Sequence, residues 1–290
     1  MRRWQELSIE IPPQAADALG SWLVENGAPG IIEEPANDRL RLRAHFSEER
    51  SAEVVRALGD FLAALDEFFP GSGAASVRTA MVAEEDWAEN WKQHFATANV
   101  GRRLRVRPPW AGAAADERLD IEILPAMAFG TGQHASTLGC LLAIEDVFER
   151  DEPHSPTLDV GTGSGILAIA AARLGAREVV AIDTDPIAVA AAADNVRRNG
   201  LADVVDVRLG SIEVVDGGFA LIVANLYSGV LRTMFEAFRR HALPRAWLLV
   251  SGLLDADAPG VRGAGAAAGW RCEAERTLDG WATLGFRRAD

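Results

Sequence analysis

The chain is short of the residues from which redox, metal and membrane sites are built. Only two cysteines occur in 290 residues. Cys140 and Cys272 are isolated and form no CxxC, so no disulfide framework is expected and both read as buried thiols. The five histidines are scattered, form no HxxxH and suggest no metal site. No apolar run approaches the ~20 residues that span a bilayer. The opening MRRWQELSIEIPP lacks the apolar core of a signal peptide, so a cytoplasmic protein without a membrane partner is expected. Lysine is nearly missing: of 29 basic side chains only Lys92 is lysine, an imbalance that points to no function. Positive charge is outnumbered, with 42 acids and a formal net charge of −13. A general nucleic-acid binder shows a basic face, so no DNA partner is expected. A basic macromolecular substrate drawn in at long range fits this charge, and so does simple solubility.

What is present centres on one stretch, Thr157 to Asp185. A short apolar strand, TLDV, runs into Gly161, Gly163 and Gly165. A small-residue helix follows, then a second strand that ends on Asp183. Glycines let backbone approach a ligand closely, and the helix start turns free N–H groups and a positive dipole end toward it. An acid at the tip of the next strand suits a ribose diol. The dinucleotide fingerprint G-x-G-x-x-G needs its third glycine where Ile166 stands. The pattern is instead D-x-G-x-G-x-G, which resembles the first motif of the class I S-adenosylmethionine-dependent methyltransferases. A plain glycine turn in an α/β domain is the alternative.

Length allows one large or two medium domains. Trp4, Leu7, Ile9 and Ile11 mark a first strand. Pro12-Pro13 opens a helix that Asn26-Gly27 ends. GIIEE and RLRLRAHF read as strands around the turn Pro35-Ala36-Asn37-Asp38. A helix over Glu48 to Phe69 and the strand SVRTAMV follow. This β-α-β-β-α-β order is a ferredoxin-like unit. Residues 84–95 read as a short helix with Trp87 and Trp91 on one face. The expected domains are therefore a ferredoxin-like unit over 1–83, a linker helix over 84–100 and an α/β domain over 101–290.

In the α/β part, LRVRPPW and LDIEILP read as strands. Ala128 to Thr137, AFGTGQHAST, is a glycine-rich loop leading into a helix over Leu138 to Phe148, with Thr137 or Ser136 as its cap. Pro186 and Gly200 bracket another helix. FALIVA is apolar throughout, as strands buried on both faces are, and it delivers Asn225-Leu226-Tyr227 to the sheet edge. PGVRGAGAAAG reads as a loosely packed helix. Alternating strands and helices imply a parallel sheet with ligands at the carboxyl ends.

With AFGTGQHAST, LDVGTGSG, AIDTDP and VANLY all in hand, the chain resembles the PrmA family, methyltransferases of the large-subunit ribosomal protein L11, over essentially its whole length. The family loop reads AFGTGTHxTT. Gln133 and Ser136 stand here for threonines, and Thr137 is kept. The resemblance implies a Rossmann-like class I methyltransferase domain behind the ferredoxin-like one, with S-adenosylmethionine as cofactor and no metal. It implies trimethylation of an N-terminal α-amine and lysine ε-amines of L11, gripped by the front domain. Residue by residue, Thr137 would contact the cofactor, Gly161 and Gly163 would lie against its methionyl part, and Asp183 would hold the ribose. Asn225 would touch the cofactor and orient the arriving amine as the catalytic residue. A monomer is expected.

Other readings stay open. Asn225 also suits a strand-end cap. Asp183 also suits a helix N-cap, although Asp185 is better placed for it. Tyr227, the only tyrosine, can pack or touch substrate, and His134 reads as a hydrogen-bond partner within its loop. NLY lacks the prolines of the Asn-Pro-Pro-Tyr motif that marks methylation of planar amino groups, which favours an sp³ amine. A methyltransferase of another protein or small amine, a non-catalytic cofactor-binding module and a nicotinamide-dependent oxidoreductase are the competing functions.

Overall fold

The computed structural model describes residues 3–28, 30–83, 96–112, 116–124, 134–150 and 154–289. The chain divides into two compact units, Met1–His94 and Phe95–Asp290.

The front unit runs β1 (Arg3–Ile11), a 3₁₀ turn, α1 (Ala16–Glu25), β2 (Ile31–Ala36), β3 (Arg39–Ser47), α2 (Glu48–Asp66) and β4 (Ser76–Ala83). Its sheet has the order β2-β3-β1-β4, antiparallel throughout. Leu7, Ile9 and Ile11 are fully buried with Leu19, Leu23, Leu42 and Leu58. Trp4, grouped with them by sequence, is only partly buried. Its even number puts it on the other pleat, because side chains alternate with period two. That other face carries ion pairs: Arg43 meets Glu6 at 2.6 Å and Glu34 at 3.1 Å, and Arg41 meets Glu10 at 2.6 Å. Half-exposed pairs contribute about 0–1 kcal/mol each, so the apolar face holds the unit. β2 runs on through Pro35, which an edge strand tolerates, and Asn37 (φ 59°) makes the turn.

The expected helix over 84–95 lies outside the described residues. Ala98–Val100, expected as linker, instead forms β5 and pairs antiparallel with β6 (Leu104–Arg107). β6 runs parallel to β7 (Leu119–Glu122).

The main sheet follows from α3 (Ala135–Phe148), β8 (Thr157–Val160), α4 (Ile166–Leu174), β9 (Val179–Asp183), α5 (Pro186–Arg198), β10 (Val205–Leu209), β11 (Phe219–Asn225), α6 (Ser228–His241), β12 (Ala242–Leu254), α7 (Ala258–Ala267), β13 (Trp270–Leu278) and β14 (Trp281–Arg288). Its strand order is β10-β9-β8-β11-β12-β14-β13. The first five strands are parallel, and β14 runs antiparallel to both neighbours. Alternate residues feed two cores. Leu221 and Val223 join Leu141, Ile144 and Ile169 on one face. Ile222 and Ala224 join Phe235, Phe238 and Val261 on the other. Burial on both faces is why FALIVA has no polar alternation. α7 is not loosely packed: Val261 is fully buried, and Gly265 faces Phe235 and Phe286, whose rings meet edge to face at 5.3 Å. Its small residues admit these rings rather than leaving space.

The strand order reverses at β8, with β9 on one side and β11 on the other. The carboxyl ends at such a switch point are where open α/β sheets take ligands. Among the described residues no helix is long and apolar enough to cross a membrane.

Candidate functional site

β8 ends at Val160, and residues 161–165 carry the chain into α4. Gly161, Gly163 and Gly165 have φ of 73°, 54° and 83°, a region that side chains avoid. A Cβ on Gly161 would also lie 2.5 Å from Leu226 Cδ2, so space as well as conformation demands glycine there. The N–H groups of Gly161 and Thr162 both donate to Ile182 O at 2.9 Å, holding the loop to β9. Gly163 N–H donates to Asp183 Oδ2 at 2.9 Å, and Asp185 N–H donates to Asp183 Oδ1 at 3.0 Å. The Asp183 carboxylate therefore shapes the loop. Each of its oxygens retains acceptor capacity for a further donor. Asp185, not Asp183, caps α5 by accepting from Ile187 N–H at 2.8 Å.

Asn225 closes β11 on the other side of β8. Its Nδ2 donates to Thr137 Oγ1 across a long 3.4 Å contact. Thr137 sits in the first turn of α3 and is 1% exposed. Neither Thr137 nor Ser136 caps that helix. It begins earlier than the sequence suggested, at Ala135, because His134 is the cap: its Nδ1 accepts from Ser136 N–H at 3.3 Å. The His134 ring also packs edge-on against Trp281 at 4.5 Å. Residues 128–133 of the loop, Gln133 among them, lie outside the described residues. Thus Gly163 is joined to Asp183, Thr137 to Asn225, and Gly161 to Leu226 beside Asn225. Tyr227 is 75% exposed, so it does not pack.

Sequence reasoning used Asp159 only as the first letter of the glycine motif. It is 1% exposed and in phase with Val223 and Leu249, where an apolar side chain belongs. Its Oδ2 accepts from Thr162 Oγ1 at 2.7 Å and Ala168 N–H at 3.2 Å. Its Oδ1 finds no partner among the described residues. Burial, aided by the charge of Asp183, pushes the carboxyl up to about 6 against the pull of those two bonds. Beside it the fully buried Cys140 thiol is pushed up by burial and then by Asp159. The available signal was an acid inside an otherwise apolar four-residue strand. Asn195 was missed altogether: 1% exposed, it donates to Ser164 O at 2.9 Å and accepts from Leu124 N–H at 2.9 Å, tying the glycine loop to the segment after β7. Among the described residues no group of His, Cys, Asp or Glu is arranged to hold a metal.

The model of the family described as ribosomal protein L11 methyltransferase (PrmA) matches residues 3–289. A curated protein named ribosomal protein L11 methyltransferase, from Citrifermentans bemidjiense, is 38% identical over 268 residues, covering 87% of this chain and 88% of its own. One of the same name from Syntrophotalea carbinolica is 35% identical and covers 97% of each chain. The crystal structure of ribosomal protein L11 methylase from Lactobacillus delbrueckii subsp. bulgaricus is similar at TM-score 0.62 and 31% identity, over 68% of this chain and 100% of its own.

Proposed function

We propose, since the chain belongs to the ribosomal protein L11 methyltransferase (PrmA) family, that it transfers methyl groups from S-adenosylmethionine to amines of ribosomal protein L11. The observation that carries this reading is the convergence at β8. A glycine loop is bonded to the strand-tip acid Asp183 at 2.9 Å, and Asn225 stands at the carboxyl end of the strand on the other side.

The residues suit the cofactor. Asp183 has acceptor capacity for two ribose hydroxyls, the glycine loop would lie against the methionyl part, and Thr137, itself buried, meets Asn225 at 3.4 Å. The buried carboxylate of Asp159 adds negative charge beneath the loop, which favours a cationic ligand. Bound there, S-adenosylmethionine would supply a sulfonium methyl, so good a leaving group that no covalent help is required. The protein's task is then positioning and exclusion of water. The acceptor nitrogen must be neutral. A lysine ε-amine lies about 3.4 pKa units above pH 7, a cost of roughly 4–5 kcal/mol, whereas an α-amine costs only about 1 kcal/mol. The Asn225 side-chain oxygen accepts an N–H bond without fixing the nitrogen as a cation, as a carboxylate would.

The β-α-β-β-α-β order and β2-β3-β1-β4 sheet of the front unit support reading it as a ferredoxin-like domain that grips L11. The net charge of −13 favours encounter with a basic partner. The protein would then act in the cytoplasm as a monomer. The test is to incubate the full chain with S-adenosylmethionine and L11 and measure the intact mass of L11. Mass steps of whole methyl groups are expected. Cofactor binding by calorimetry with no step on L11 would end the L11 reading.

A further inference from the structure

The regular pairing of β12 is interrupted beside Asn225. At the end of β11, Asn225 pairs with Ser251. On the other side of β12, Val250 pairs with Leu284 and Leu253 with Ala282, so three steps along β12 face two along β14. The extra residue makes a β-bulge, a device that re-aims groups next to sites. Within it Gly252 has φ 82°, a left-handed conformation that glycine adopts freely. Ser251, fully buried, stitches the bulge: its Oγ donates to Ala282 O at 2.8 Å and lies 3.0 Å from Thr283 Oγ1. Ser251 O accepts from Leu226 N–H at 3.0 Å, which holds Leu226 against the bulge.

Conformation is only part of what Gly252 supplies. A Cβ there would lie 2.6 Å from Leu226 O and 2.9 Å from Asn225 Oδ1, closer than non-bonded carbon and oxygen approach. Both oxygens are drawn to one point on the bare face of the glycine, and any side chain would drive them apart. Asn225 Nδ2 donates to Thr137 Oγ1, so the amide turns its oxygen, not its nitrogen, toward Gly252. Two neutral acceptors this close together match a neutral primary amine, which offers two N–H bonds and keeps its lone pair for the methyl carbon. Neither oxygen carries the charge that would favour the ammonium form.

Resting on the reading of this crevice as a methyl-transfer site, we propose that Gly252 is a positioning residue for the acceptor: its missing side chain lets Asn225 Oδ1 and Leu226 O converge into one seat for the amine nitrogen. The test compares Gly252→Ala with Gly280→Ala in the full chain. Gly280 has φ 79°, and among the described residues nothing lies within 4 Å of an added Cβ, so its variant carries the backbone strain without the collision. Methyl transfer to L11 is followed by intact mass, and cofactor binding by calorimetry. Gly252→Ala should lower kcat at least about a hundredfold while cofactor Kd stays within about threefold, because a displaced amine is costly. Gly252→Asn puts the same Cβ on a residue that tolerates a left-handed φ and should show the same loss. Gly280→Ala should keep kcat within about twofold. In an Asn225→Ala background, Gly252→Ala should lower kcat by less than about threefold more, since residues acting as one unit are not additive. An active wild type with unaffected Gly252 variants, an equal loss at Gly280, the full loss repeated in the Asn225→Ala background, or loss of cofactor binding in both Gly252 variants would overturn the seat alone. Wild type that binds cofactor and leaves L11 unmodified would overturn the reading beneath it as well.

Discussion

Replacing Asp159 by asparagine should make the protein more stable at neutral pH and not at acid pH. The carboxyl is pushed from 3.8 up to about 6, first by burial. A shift of about two units is worth roughly 3 kcal/mol at about 1.4 kcal/mol per unit. The sign follows from proton counting. The folded protein holds this proton better than the unfolded chain does, so between about pH 4 and pH 6 it carries more protons. Stability contributed by Asp159 is therefore greatest below pH 4, falls through that window and stays low above it. Asparagine never ionises. Its oxygen still accepts from Thr162 and Ala168, and its amide occupies the place of the unpartnered Oδ1. Bonds to a neutral acceptor are weaker than to a charged one, which reduces the gain to about 1–3 kcal/mol. The assay is urea unfolding of both proteins from pH 4 to pH 8. The expected result is a difference near zero at pH 4 that grows to a plateau in favour of the variant by pH 7. A difference that does not change with pH, or one that favours the wild type as pH rises, would refute the reasoning. Asp183 is part of the cause, so in an Asp183→Asn background the same difference should shrink.

Three further outcomes are expected. Asp183→Asn keeps an acceptor for Gly163 N–H but loses the charge and should weaken cofactor binding by about tenfold or more by calorimetry. Asp183→Ala also frees the backbone N–H groups of Gly163 and Asp185, so it should weaken binding further and lower Tm; equal, wild-type affinity in both would remove Asp183 from the ribose. Asn225→Ala should lower kcat for L11 by about a hundredfold with a smaller change in cofactor Kd, since a misplaced amine is costly; an unchanged kcat would leave Asn225 a strand-end cap. Gly161→Ala meets Leu226 at 2.5 Å with φ 73°, so a loss of about 1–3 kcal/mol is expected. Adding Leu226→Ala should restore only the part due to crowding, as read by denaturant midpoints.

Much of the molecule was legible because it is encoded locally. The Asp185 cap, the apolar FALIVA strand and the glycine loop with its acid twenty residues on each depend on residues near one another in the chain. Period, cap and turn rules act over that range. The errors have separate sources. Trp4 was assigned to the wrong pleat by composition rather than parity. The α3 cap passed to His134, whose ring is held by Trp281 from far along the chain. β5 went unread because a three-residue strand carries too little pattern.

The sequence alone determined most of the order of elements and the pairing of the glycine loop with Asp183, since spacing within one β-α-β unit brings those groups together. Only the tertiary structure decided that Asp159 is buried with one oxygen unpartnered. It alone brings the bare face of Gly252 against Asn225 and Leu226. Burial and field are sums over neighbours supplied by distant strands, and no stretch of chain carries that sum in its own letters.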